Sequence, residues 1–455
     1  MDITSPKRKR VNRSHYSLAR ASGLYLRQAS VVGRIKDARV AGTAKTQCLP
    51  SMPENISQTL RCVRRSGNRR VFSVRPTEKR SFKTSASGLY LRQASIAVSS
   101  ILLILLACAP SAVAQDEAPK IRTVSEIETA VSRIAFGSCG HQDHDQPILN
   151  TVVAKKPELF IYLGDNIYGE NKEMEVLKAK YNKLASKTEF KNLRANIPTL
   201  SVWDDHDYGW NDAGKEYEFK GRSKDIFLDF WNVPANSLRR EHPGIYGSHF
   251  FTDKKRTVQI ILLDTRTFRD PLKRNPRKLP EDSKFKNDYQ PDPAPEKTLL
   301  GETQWKWLAE ELKKPADLRI VCSSIQFGHE YNGWESWTNL PLQQQKMIRT
   351  IRDAKANGVV FISGDVHWGE ISQREFDDVY PLYDVTASGL TMDWHNTEPN
   401  KFRVGEVWRK NHFGMIEVDW SADDPKVTMQ IIDVDGEVRN SHSVPLSELK
   451  FPGGE

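Results

Sequence analysis

Cysteine is scarce in this chain. Of its five, Cys48, Cys62, Cys108, Cys139 and Cys322, only the last two lie beyond residue 114. Two thiols in so long a stretch make no disulfide framework, so stability must come from an ordinary apolar core, which that length can supply. Long apolar runs are missing too. Ile96–Ala107 is a charge-free run of twelve residues, too short to cross a bilayer comfortably, where about 20 are needed. With Arg92 before it and Ala112-Val113-Ala114 after it, the run has the parts of a secretory signal, and cleavage would leave Gln115 first. A rival site, Leu105-Leu106-Ala107-Cys108, resembles a bacterial lipobox and would put a lipid anchor on Cys108, the one expected route to a membrane. Acidic residues are the third scarcity, in the first quarter only. Residues 1–114 hold 21 of the 67 Lys and Arg but 4 of the 58 Asp and Glu, so the remainder has 46 basic and 54 acidic side chains, a net of −8. The basic balance of the whole chain is therefore no argument for nucleic acid, which is not expected as a stable partner.

Residues 1–95 also lack a periodic apolar pattern. They repeat Ala-Ser-Gly-Leu-Tyr-Leu-Arg-Gln-Ala-Ser at 21–30 and 86–95, and two copies are too few for a solenoid. This part is expected to be a disordered leader, or to lie upstream of the true start codon. Residues 96–114 then form the signal and 115–455 one folded domain.

In that domain, short apolar runs with strand-like length and β-branched content alternate with helical patterns. Strands are expected at Ser132–Ser138, Leu159–Leu163, Ile197–Trp203, Thr257–Leu263, Leu318–Ser323 and Gly358–Ser363. Helices are expected at Asp145–Lys155, Glu173–Leu184, Ser223–Trp231, Thr303–Lys313 and Leu342–Ala356. Asp270–Lys297, rich in Pro, Lys and Asp, reads as a surface loop. The tail reads as β-rich, with strands at Leu382–Ala387, Gly414–Asp419 and Lys426–Ile432. Alternation of this kind means an α/β fold with parallel pairings, whose ligands sit beyond the carboxyl ends of the strands.

At those ends polar donors recur: Cys139; Asp165 and Tyr168; Asp204 to Asp207; Arg266; Gln326; Asp365 and His367. Such convergence points to one site. Thiolate, phenolate and imidazole together favour a transition metal, and phenolate suits Fe(III); a neighbouring set of carboxylates suits Ca²⁺, Mg²⁺ or Mn²⁺. Asp165 is best placed to bridge two ions, and such a pair clamps a phosphoryl group. His206, between Asp205 and Asp207, is placed to protonate a leaving alkoxide. Arg266 could meet a substrate phosphate or pair with Asp264 or Asp270. Gln326 is too weak a ligand to include, Trp334 and Trp337 read mainly as packing, and His395 is a candidate for the pocket mouth.

Gly164-Asp165-Asn166-Ile167-Tyr168, Trp203-Asp204-Asp205-His206-Asp207, Leu263-Asp264-Thr265-Arg266 and Ser363-Gly364-Asp365-Val366-His367 resemble the signature blocks of the PhoD-type alkaline phosphatases, a branch of the calcineurin-like metallophosphoesterases. Leu300–Trp305 and Asn332–Trp337 are similar to further blocks. The resemblance implies a four-layer α/β/β/α sandwich of two mixed sheets and an Fe(III)/Ca²⁺ centre hydrolysing phosphate esters, with Mn²⁺, Mg²⁺ or Zn²⁺ as other divalent ions. Carried over by position, Cys139, Asp165, Tyr168 and His367 surround the iron. Asp165, Asp205 and Asp365 hold the calcium side, with Asp204 as a possible further ligand, and His206 keeps the catalytic His role; Arg266 is the second catalytic candidate, on the phosphate-contact reading above. Asp205 stands where related enzymes have Asn, and Asp365 where they have His. Each swap makes a ligand anionic, which fits a harder ion. An additional N-terminal β domain, frequent in such enzymes, has no room in Gln115–Ser132. Taken with the signal-like segment, the leading reading is an exported phosphatase that scavenges phosphate from small esters. The alternatives are a phosphodiesterase on nucleotide or lipid-headgroup esters, and a non-catalytic calcium-dependent surface module.

Overall fold

Leu159–Leu163 buries all five of its side chains, which a strand does only when both faces of its sheet are covered. In the structure, a computed structural model that describes residues 120–452, this run is β2. It follows β1 (Arg133–Gly137) and precedes β3 (Thr199–Val202), β4 (Gly247–Thr252) and β5 (Thr257–Leu262). A two-residue pair, β6 (Lys273–Arg274) and β7 (Tyr289–Gln290), comes next, then β8 (Leu318–Cys322), β9 (Val359–Ser363), β10 (Gly369–Phe376) and β11 (Val379–Ala387). The tail holds β12 (Arg403–Trp408), β13 (His412–Asp419), β14 (Lys426–Asp433) and β15 (Val438–Pro445). The leader, the signal, the lipobox and most of the linker up to residue 119 lie outside the described residues. No described helix is long and apolar enough to cross a membrane.

Two large sheets form. The first has the order β15-β14-β13-β1-β2-β3, the second β12-β10-β11-β9-β8-β5-β4. Both are mixed. β1 runs parallel to β2, with Ile134 opposite Leu159, and antiparallel to β13, with Arg133 opposite Glu417. In the second sheet β5, β8, β9 and β11 are parallel neighbours, while β4, β10 and β12 run antiparallel to theirs. β10 and β11 touch β13 and β14 across the sandwich. Helix Ile148–Ala154 packs on β13 and against helix Thr188–Asn196; helix Pro341–Ala354 packs on β11 and against helix Gly301–Lys313. The layers therefore run helix, sheet, sheet, helix: the four-layer sandwich.

Helix Gly301–Lys313 shows why these segments take their places. It buries Gln304, Trp305, Leu308, Glu311 and Leu312, one stripe of an amphipathic surface. Pro341 opens the next helix, where its missing N–H costs nothing. Among the described residues, six strands and three short α-helices escape the sequence reading: β6 and β7, helices Asp205–Tyr208 and Leu238–Glu241, and five more. β4, β10, β12 and β15 carry polar and half-exposed residues, and Thr188–Asn196 is short and polar. Asp270–Lys297 is more than the surface loop expected, because β6 and β7 pair within it and Tyr289 is buried.

β3 ends the first sheet, and its free flank is served by a side chain. The buried Arg239 donates from Nη2 to the Ser201 carbonyl at 2.9 Å and from Nε to the Ile245 carbonyl at 2.5 Å. Among the described residues no carboxylate lies within ion-pair distance of it, Asp264 acting only from further off, so these carbonyls carry the interaction. Arg239→Met keeps the volume and removes both bonds. It should lower the unfolding free energy by about 3 kcal/mol, read as a shift of the urea midpoint with an unchanged slope.

Candidate metal centre

The turns that follow β1, β2, β3 and β9 meet between the sheets. After β1, the Cys139 N–H donates to the Gly164 carbonyl at 3.3 Å, and the Gly140 N–H to the Asp165 carbonyl at 2.9 Å. Gly164 has φ +100°, and a Cβ there would stand 2.5 Å from the Cβ of Asp204; only glycine lets these two turns approach so closely. After β3, Asp204 caps the one-turn helix Asp205–Tyr208, and its own N–H donates to Asp207 at 2.7 Å. Asp207 also accepts from Asn166 and from the Tyr181 hydroxyl, so it is a structural brace. Cys139, Asp165, Asp365 and His367 all have left-handed φ, at 60°, 49°, 76° and 63°. Each such non-glycine residue costs about 1–3 kcal/mol, strain that collects at functional sites.

Of the seven expected metal ligands, six fall into two overlapping groups. The donor atoms of Cys139, Asp165 and His367 lie within 4.8 Å of one another, and so do those of Asp165, Asp204, Asp205 and Asp365. Asp165 belongs to both. The seventh, Tyr168, has its hydroxyl 3.2 Å from His367 Nε2, and its ring lies 4.3 Å from that of His206. Asp165, Asp205, His206, Asp365 and His367 line a cavity of about 220 Å³, whereas Cys139 and Asp204 are fully buried.

Burial and mutual repulsion dominate the electrostatics. Desolvation, then the neighbouring aspartates, holds the carboxyls of Asp165 and Asp365 well above the usual range. Asp204 is pushed up to about 7 by burial, against the pull of Arg266. Burial would also raise Asp205, but His206, Arg266 and the Asp212 amide outweigh it and hold that carboxyl low. For His206 burial is outweighed by Asp205, Asp165 and Glu170, which push it up to about 11. His367 is pushed down to about 4 by burial and then by His206.

The donors fit metal ions. Asp165 Oδ1 and Asp204 Oδ2 are buried without a hydrogen-bond partner, and unpaired buried carboxylates are strongly unfavourable unless cations compensate them. Thiol, phenol and imidazole at one end and carboxylates at the other match two ions of different hardness.

The structure does not bring Arg266 to the cavity. Its side chain is fully buried; Nε donates to Asp204 at 2.5 Å, the guanidinium also pairs with Glu335, and Asp205 lies 3.9 Å away. Of the two expectations for this side chain, the arrangement seen is the ion-paired one, with its polar edges facing protein carboxylates and the Ala213 carbonyl. Its partners are new. Asp264 accepts from Arg266's backbone N–H, not its guanidinium, and Asp270 pairs with Lys215.

Other residues were beyond the sequence reading. Glu170 pairs with His206 Nδ1. The Asp212 amide donates to Asp205 at 2.6 Å, and Glu335 ties Arg266 to Arg269. All three sit in irregular turns, where no strand end flags them; their only signal is adjacency to aromatic-rich blocks. Trp334 lines the cavity, against the packing expected of it, whereas Trp337 does pack, fully buried. At the mouth it is Trp394, not the exposed His395, that lines the wall. Gln326 is committed to Glu370 and Thr386.

Comparison with known proteins places this geometry. A family model described as PhoD-like phosphatase matches residues 134–401, more than half of the chain and every residue from Cys139 to His367. Alkaline phosphatase D of Bacillus subtilis (strain 168) is 28% identical over 283 residues, covering 53% of this chain and 47% of that protein. The chain thus spans about half the length of the curated relative it matches. A solved structure described as that of PhoD has a TM-score of 0.49 at 18% identity, covering 72% of this chain and 74% of that one. A dimetal phosphatase from Danio rerio has a TM-score of 0.43 at 12% identity, covering 71% and 99%.

Asp165→Asn removes the one carboxylate common to both donor groups. Metal content by mass spectrometry should fall at both. In chelator the variant should melt higher than the parent, since a carboxyl whose ionised form burial disfavours is gone; with metal restored the order should reverse, because only the parent gains full binding energy on folding.

Proposed function

This chain belongs to the PhoD-like phosphatase family, and we propose on that footing that it is an exported, metal-dependent phosphatase acting on small phosphate esters to scavenge phosphate. The observation that carries the reading is the cavity whose floor is shared by Asp165, Asp205, Asp365 and His367 and which His206 also lines. In this reading Cys139, Tyr168, His367 and Asp165 would hold Fe(III), and Asp165, Asp205, Asp365 and Asp204 would hold Ca²⁺. Bound there, the ions would supply Lewis acidity, polarising phosphoryl oxygens and making water a nucleophile near neutral pH.

The chain's own residues do the rest. His206 has its Nδ1 taken by Glu170, which, with the neighbouring aspartates, favours the protonated ring. That leaves Nε2 to give a proton to the departing alkoxide. Glu170 is a positioning residue that fixes the ring. Arg266 neutralises Asp204 from the buried side and so orients the carboxylates without touching substrate. Export rests on Ile96–Ala107 and Ala112-Val113-Ala114.

Two measurements test the reading. Protein purified without chelator should carry stoichiometric iron and calcium and turn over p-nitrophenyl phosphate; its rate on the bis ester decides between monoesterase and diesterase. Calcium alone, with neither ester hydrolysed, would instead favour a calcium-dependent binding module. His206→Ala should lose turnover by about 10²–10⁴-fold with metal content unchanged. Glu170→Gln should lower kcat by about 10-fold with KM unchanged. N-terminal mass spectrometry of exported protein should begin at Gln115, or at a lipidated Cys108.

A further inference from the structure

Two tryptophans stand at the mouth of the cavity. Trp334 and Trp394 both line it, their ring centroids 6.1 Å apart and their planes 86° to each other. Trp394 is 41% exposed, and His367 lies 6.4 Å from it. A single exposed tryptophan is unremarkable on a protein surface. This one is different because it borders the candidate metal centre and forms a corner with a second indole. A flat ring set against the face of one indole turns its edge to the other, and both stacked and edge-to-face contacts are favourable.

The corner is built rigidly. Trp394 sits in the irregular stretch 388–402 between β11 and β12, a length that would be mobile without fastenings. Glu398 of that stretch pairs with Lys286 at 2.7 Å, accepts from Asn287 at 2.7 Å, and gives its carbonyl to Arg403 at 2.8 Å. Arg403 in turn pairs with the buried Glu370 at 2.6 Å. Trp334 hangs from the same anchor: its N–H donates to Asn332, Asn332 donates to Gln326, and Gln326 donates to Glu370, each at 2.8 Å. One buried carboxylate therefore ties down both loops that carry the indoles. Holding aromatic faces still in water is what a stacking subsite requires.

Elsewhere the wall is acidic. Asp212 and Asp288 line the cavity and share one exposed cation, Arg274, at 3.5 and 3.3 Å; two carboxylates to one guanidinium leave a negative balance that disfavours a leaving group bearing further phosphates. With Trp334 and Trp394 it selects for a neutral, flat one. Resting on the phosphatase reading above, we propose that Trp334 and Trp394 form a leaving-group subsite for phosphate esters whose alcohol carries an aromatic ring.

The test compares adenosine 5′-monophosphate, p-nitrophenyl phosphate and glycerol 3-phosphate on the metal-loaded full chain. Trp394→Ala should raise KM for at least one aromatic ester about 10-fold, the scale of one lost stacking contact, and change glycerol 3-phosphate kinetics less than about 2-fold. Trp394→Phe should recover most of the loss, and Trp334→Ala should act in the same direction. The aromatic ester that loses more identifies a nucleoside or a simple aryl group as the occupant. An equal change for all three esters, or none, overturns the subsite while leaving the phosphatase reading intact. A parent protein that hydrolyses none of the three overturns both. Circular dichroism confirms that each variant is folded.

Discussion

Four carboxylates crowded into the interior repel one another, and the fold has to hold Asp165, Asp204, Asp205 and Asp365 together against that force. Two unit charges 4 Å apart at a surface-like dielectric oppose each other by about 4 kcal/mol, and burial adds to the cost. The surrounding structure answers from the protein side with donors. Arg266 and Ser324 serve Asp204, the His206 and Asp212 amides serve Asp205, and Glu335 and Arg269 extend the chain of alternating charge behind them. The backbone contributes strain, with left-handed turns at Asp165 and Asp365. A protein accepts such an arrangement when cations are to fill it.

How much of this could be read from the sequence follows physical lines. Strands buried on both faces announce themselves as apolar runs, so β2, β5, β8 and β9 were visible almost to the residue. Strands of mixed polarity do not. β4, β10, β12 and β15 carry half-exposed or exposed positions, and such patterns look like loop. Donors at strand ends were legible because the strand points to them. Glu170, Asp212 and Glu335 were not, since they reach the centre from turns whose path depends on tertiary packing. The sequence also suggested a single sheet edge, and only the resemblance pointed to two sheets with the cluster between them.

Arg266 shows the limit most clearly. An arginine just past a strand beside acidic blocks reads equally well as a phosphate contact or as an ion pair. The choice is made by Asp204 and Glu335, 62 and 69 residues away, whose positions no local pattern encodes. The same holds for Trp334, whose neighbour Trp337 is packed while it is not; a spacing of three residues in irregular chain says nothing about shared direction.

The order of strands in the first sheet also governs when the molecule can be completed. β1 lies between β2 and β13, so the strand that leads into Cys139 keeps one bare edge until residues 412–419 have been synthesised, and β14 and β15 come later still. The ligands themselves span both sheets, from Cys139 to His367. The donor set is therefore brought together only when both sheets have formed, and no single stretch of the chain holds it alone.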